Sequence, residues 1–166
     1  MYSYHENVKV LPLLAPQDIV ATATASSYVD VSNAAGVIEF DIPFGAIAST
    51  DSTGEVVVTV EASTAGSSNA TEAAIAFRYR LSAAVDTDTM GALASATTAG
   101  YAVGNANDNK VLSLFVEPSQ LAAQGADYKY LRAVITPTAE ITSTIVGGVQ
   151  VRFVDRYAGA SMPSST

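Results

Sequence analysis

The alternation of apolar and polar side chains is clearest in the last third of the chain. Leu131, Ala133 and Ile135 share one parity while Tyr130, Arg132 and Thr136 share the other, the pattern of an extended segment with one buried face. Ile145, Val149, Val151 and Phe153 oppose Gln150, Arg152 and Arg156 in the same way. The polar stretch between the two runs has the composition of a reversal, so residues 128–157 are expected to form an antiparallel strand pair with one wet face. Upstream, Val56, Val58 and Val60 oppose Glu55, Thr59 and Glu61 directly after the turn residues Asp51-Ser-Thr-Gly54. Ile38, Phe40 and Ile42 oppose Glu39 and Asp41, and Pro43 is expected to end that strand because it cannot donate to a ladder.

Ile75, Phe77, Tyr79 and Leu81 alternate with Arg78 and Arg80 and predict a further strand. Residues 110–116 are apolar at both parities, as in a strand covered on both faces. From Ile19 to Val31 the β-branched and small residues predict a first strand pair. Residues 83–109 show no sustained period and read as a long loop with short strands, one near Tyr101 to Val103. Pro118 and Gly125 bracket a single helical turn.

Residues 1–17 follow a different rule. Val8, Val10, Leu11, Leu13 and Leu14 crowd into a segment that Pro12 and Pro16 keep out of any helix, so they need an apolar surface to lie on. We expect an extended arm lying along a neighbouring subunit. The fold class is then all-β: an antiparallel β-sandwich or jelly roll with an extended N-terminal arm and one short helical turn. The arm occupies 1–17, a single sandwich domain 18–157, and a small-residue tail 158–166.

Composition narrows the function classes. A chain of 166 residues suits one domain, and a net charge of −8 disfavours nucleic acid and anionic membrane as partners. No run approaches the ~18 apolar residues of a membrane span, and the first residues lack the basic and apolar regions of a signal peptide, so synthesis in the cytoplasm is expected. The absence of cysteine removes disulfides, thiolate catalysis and cysteine-based metal sites.

Candidate chemistry is sparse. His5 is the single histidine and lies in the arm, a poor setting for a catalytic triad. Asp86-Thr-Asp88 and Asn105-Ala-Asn-Asp108-Asn place oxygens at alternate positions, but neither completes a calcium loop, and turn chemistry explains both. Glu39 with Asp41, and Glu55 with Glu61, imitate the paired carboxylates of a glycosidase, yet a solvated strand face accounts for them. Asn69-Ala-Thr71 matches a glycosylation pattern without a secretory context. Tyr101, Tyr128 and Tyr130 would serve a sugar- or receptor-binding module if they formed one platform. Arg78 and Arg80 project from one strand face, where they can meet carboxylates of a partner. No enzyme, cofactor or metal site is therefore expected; the candidate interface residues are Val8, Val10, Leu11, Leu13, Leu14, Arg78 and Arg80.

Three segments carry a family resemblance: Glu55-Val-Val-Val-Thr-Val-Glu-Ala-Ser with its polar loop, Tyr130-Leu-Arg-Ala-Val-Ile-Thr-Pro137, and Val149-Gln-Val-Arg-Phe-Val with the small-residue tail that follows. With them, residues 19–160 resemble in outline the small virion proteins of tailed bacteriophages that accompany the major capsid protein. The arm and residues 83–109 have no counterpart in it. The resemblance implies a capsid decoration, cement or minor head protein on the capsid exterior. It would bind the major capsid protein and copies of itself, as a homotrimer, without turnover. A neck or tail component is the nearest alternative.

Overall fold

The computed structural model describes residues 8–67, 70–84, 87 and 89–154. In chain order these form β1 (Val8–Leu14), β2 (Gln17–Asp18), β3 (Thr24–Ala25), β4 (Val29–Asp30), β5 (Ile38–Ser49), β6 (Glu55–Ser63), β7 (Glu72–Ile75), β8 (Phe77–Leu81), β9 (Ala94–Ala96), β10 (Tyr101–Gly104), a 3-10 turn (Asn105–Asn107), β11 (Val111–Val116), helix α1 (Pro118–Ala122), β12 (Tyr130–Pro137), β13 (Ile141–Val146) and β14 (Val149–Val154). The strand pairings are antiparallel and make two sheets. The larger runs β1-β14-β5-β11-β8-β9, with β13 and β2 continuing beside the second half of β5. The smaller runs β10-β6-β12-β3, with β7 also on β6 and β4 also on β12.

The core lies between the sheets. Phe40, Ile42, Leu112, Leu114, Val151 and Phe153 come from the larger sheet, and Val56, Val58, Val60, Leu131, Ala133 and Ile135 from the smaller, all essentially inaccessible. Apart from Ala133, each such side chain contributes roughly 1.5 to 3 kcal/mol by leaving water, which is what holds one sheet on the other. The molecule is an all-β antiparallel sandwich with one short helix. Glu117 and Gln120 form a reciprocal capping box at the helix start, with Pro118 in the first turn.

Several expected elements are placed differently. Residues 130–137 and 149–154 are not neighbours: β12 lies between β6 and β3 in the smaller sheet, while β13 and β14 both pair with β5 in the larger. Gly147 and Gly148 separate β13 from β14, Gly148 with φ of +105°, which a side chain resists. Pro43 does not end its strand; β5 runs on to Ser49. Pro43 sits where the strand changes partners, with Ile38 to Pro43 facing β11 and Phe44 to Ser49 facing β13. Residues 75–81 are two strands, because the chain passes from the smaller sheet to the larger at Ala76. Gln120 of α1 steadies that crossing by donating its side-chain amide to the Ala76 carbonyl at 2.6 Å.

Within 19–31 only β3 and β4 are strands, and both lie on β12 rather than on each other. Buried Ser26 interrupts them and accepts the Ala133 N–H with its hydroxyl at 3.1 Å, replacing a ladder carbonyl. The apolar surface needed by the N-terminal segment comes from the same chain: Val8 to Leu14 pair with Val154 to Val149 of β14. Leu13 is buried, and Leu11 and Leu14 pack on the core. Residues 1–7, including His5, and the tail 158–166 lie outside the described residues.

Candidate interaction face

The outward side of the larger sheet gathers residues from five strands into two cross-strand rows. Strand alternation turns Glu39, Asp41, Ser113, Phe115, Arg78, Arg80, Gln150 and Arg152 away from the core, since their neighbours Phe40, Leu114, Phe77 and Val151 are buried. Register then lines them up. One row reads Val10, Arg152, Glu39, Phe115, Arg78, and the next reads Pro12, Gln150, Asp41, Ser113, Arg80. Val10 and Arg78 thus stand four strand spacings apart, roughly 19 Å, on one face.

Asp41 is the fixed point of this face. It is 6% exposed, accepts a hydrogen bond from the Ser113 hydroxyl at 2.6 Å, and pairs with the Arg152 guanidinium from the adjoining row. A carboxylate so enclosed depends on those partners, because an unpaired buried charge is costly. Around it runs a depression of about 670 Å³ of mixed lining, bordered by Glu39, Arg80, Ser82, Gln150 and Arg152 together with Met90, Val111 and Phe115. Beside it lies a smaller groove of about 330 Å³ lined by Val37, Arg78, Arg80, Leu93, Phe115 and Glu117. Arg80 and Phe115 border both. Val10, Val37 and Leu93 are 39%, 48% and 39% exposed, high for such side chains. Arg78 meets Glu117 only at 3.8 Å with both half exposed, and Arg80 has no hydrogen bond or ion pair among the described residues.

Of the residues singled out in the sequence, Val10, Arg78 and Arg80 share this face. Leu11 and Leu13 do not: they sit one parity away, against the core. Val8 pairs with Val154 at the end of the same edge strand.

The smaller sheet carries its own polar cluster. Arg132 donates from Nε to Glu61 at 2.7 Å and from Nη2 to Glu72 at 2.8 Å, and its guanidinium lies 4.6 Å from the Tyr28 ring centroid. The Tyr28 hydroxyl donates to the second Glu72 oxygen. Burial, reinforced by that bond, pushes the Tyr28 phenol up to about 12. The cluster ties β6, β7, β12 and the β3–β4 link together, with its charges satisfied internally. Sequence reading missed it because its members lie far apart in the chain.

The other candidates disperse. Tyr101 pairs with Val58 and Tyr130 with Ser63 on opposite edges of β6, so no common tyrosine platform exists. Tyr101 stacks on Tyr79 instead, and burial, with Tyr79 beside it, raises its phenol. Glu55 and Glu61 stand at separate positions along β6, and Glu61 is taken by Arg132. The Asn105 side chain donates to Ser49 Oγ at 3.1 Å, while Asn107 accepts from Lys110 at 3.1 Å, both turn roles. Asn69, Asp86 and Asp88 lie outside the described residues. Among those described, no group of three or more His, Cys, Asp or Glu is placed to hold a metal, and no helix is long and apolar enough to cross a membrane.

No protein-family model matches the chain, and no curated protein matches it. Among solved structures, a chain from the structure of infectious bursal disease virus, Gx strain, aligns with 95% of this chain and 43% of its own length, at 8% identity and a TM-score of 0.23. This chain therefore spans less than half of that one, and the likeness is too slight to carry fold or function.

Proposed function

We propose that this chain is a structural virion protein that binds the exterior of a tailed-bacteriophage capsid and stabilises contacts between major capsid subunits, without catalysing a reaction. The observation that carries the reading is the outward face of the larger sheet, where exposed Val10, Val37 and Leu93 accompany Phe115, Arg78 and Arg80. Apolar anchors beside arginines are the composition of a protein-binding surface. The sequence resemblance supplies the virion context, and the acidic balance suits a protein kept apart from packaged DNA.

The size of the face bears on assembly. Six strands at their usual spacing and about six residues of length give a footprint of roughly 24 by 20 Å, or about 500 Å². A standard interface takes about 800 Å² from each partner, so one such contact is weak. Several contacts made together by a homo-oligomer, the trimer that the resemblance implies, hold firmly on a symmetric lattice.

Quantifying this chain in purified particles tests the proposal. A decoration role requires on the order of hundreds of copies per particle, whereas about six or twelve point to the neck or tail. The doubly substituted chain, Val10→Asp with Val37→Asp, should stay folded, because both side chains are exposed, and should lose occupancy. Full occupancy by that variant would refute attachment through this face.

A further inference from the structure

The groove lined by Val37, Leu93 and Phe115 differs from the depression beside it in joining a mostly apolar lining to two guanidiniums. At about 330 Å³ it has the size of one or two side chains rather than of a cofactor. Two guanidiniums, Arg78 and Arg80, and one carboxylate, Glu117, border it in a chain whose net charge is −8. The other described arginines are already engaged: Arg132 by Glu61 and Glu72, Arg152 by Asp41. Glu117 holds Arg78 only loosely, and Arg80 has no ion pair or hydrogen bond among the described residues. Glu39 stands two strands and one row from Arg80, roughly 12 Å between backbones, and forms no ion pair with it.

We infer that this groove takes an acidic, apolar segment of the partner protein. A leucine- or phenylalanine-sized side chain would rest on Val37, Leu93 and Phe115, and a flanking carboxylate would pair with the guanidinium of Arg80. Charge complementarity selects this occupant. A basic segment would face two arginines, and a second copy of this acidic chain would bring eight further net negative charges close to the first. Arginine suits the role because its planar fork accepts a carboxylate through two parallel hydrogen bonds. The inference rests on the reading of this face as the attachment surface and names the chemistry that surface recognises.

The test titrates the isotope-labelled full chain with three synthetic peptides of equal length: Glu-Leu-Glu-Phe-Glu, Lys-Leu-Lys-Phe-Lys and Glu-Ser-Glu-Ser-Glu. The first should move the amide resonances of Val37, Leu93 and Phe115, and the other two should leave them in place. Arg80→Glu should weaken binding of the first peptide roughly ten-fold or more, while Arg80→Lys, which keeps the charge but loses the fork, should fall between. Raising salt from ~50 to ~500 mM should weaken it as well. Equal binding of the lysine peptide, equal binding of the serine peptide, resonance changes elsewhere, or an unaffected Arg80→Glu variant each overturn the inference. Shifts at the same three residues on concentrating the chain alone also overturn it, since the occupant would then be another copy. If no peptide binds while the Val10→Asp, Val37→Asp chain still loses particle occupancy, the attachment face stands and the chemistry assigned to the groove is wrong.

Discussion

Tyr79 and Tyr101 stack with ring centroids 4.0 Å apart and an interplanar angle of 29°, one ring from each sheet. Tyr79 follows Phe77 on β8, and Tyr101 opens β10 on an outer edge of the smaller sheet. The pair bridges the two sheets beside the place where the chain passes from β9 in the larger sheet to β10 in the smaller. Replacing either ring with alanine should therefore destabilise the fold, by about 2 to 3 kcal/mol given that both are half-buried. A double-mutant cycle followed by denaturant unfolding should return a coupling of ~0.5 to 1.5 kcal/mol. Strict additivity of the two losses would mean that the rings touch without supporting each other.

The Asp41 carboxylate should be sensitive to the loss of one partner and tolerant of the loss of all. Arg152→Ala leaves a 6%-exposed carboxylate with Ser113 alone. The expected cost is about 2 to 3 kcal/mol, below the range for fully enclosed pairs because the arginine side chain is 36% exposed. Asp41→Val combined with Ser113→Ala and Arg152→Met should return to within about 1 kcal/mol of the parent chain. Urea midpoints for the single and triple variants provide the comparison.

Tyr28 gives a pH signature. Its phenol ionises near 12 in the folded protein against 10.0 for the free group, so the fold binds that proton more tightly than the unfolded chain does. The associated stability is complete below pH 10 and fades as pH climbs from 10 to 12. Its size is on the order of 2 kcal/mol. Phenolate absorbance should show a late-ionising fraction to which Tyr101 also contributes, and Tyr28→Phe should remove the step near 12. A wild-type titration without that late step would contradict the buried hydroxyl bonded to Glu72.

Gly148 and Leu13 should both control how firmly β1 is held. A Cβ at Gly148 would sit 2.6 Å from the Leu14 carbonyl oxygen, and φ of +105° is strained for any side chain. Gly148→Ala should cost ~2 kcal/mol or more. Leu13→Ala should cost a similar ~2 to 4 kcal/mol, as for other buried leucines. In both variants hydrogen exchange should quicken first at the amides of residues 8–14. Uniform loss of protection across both sheets would show that β1 does not open by itself.

Strand alternation reports which side of a strand is covered and says nothing about which strand lies beside it. Hence Val56, Val58 and Val60 are legible as core from their spacing, as are Leu131, Ala133 and Ile135. The placement of β12 and β14 in different sheets is not, because both have one buried face and either sheet satisfies it. Pro43 misleads for a related reason: the penalty for a missing N–H depends on whether a partner awaits it, and β5 changes partners there. In the interaction face, Arg78 and Arg80 are visible from alternation alone. Val37 and Leu93 are isolated apolar residues in the sequence, and only the folding of β5 and β9 around β8 and β11 brings them beside those arginines.

The pairing of Val8 with Val154 fixes how the molecule responds to mechanical load. Because β1 and β14 are antiparallel and these two residues form their shared end, tension applied between segments preceding Val8 and following Val154 acts across the ladder rather than along it. Such a load separates hydrogen-bonded pairs one after another, from Val8 and Val154 toward Leu14 and Val149, instead of shearing all of them at once. The strand that rests on β14 is thus a tear strip: a modest pull peels away residues 8–14, taking Val10 and Pro12 out of the two rows, while β5, β11 and β8 stay paired with their shares of both.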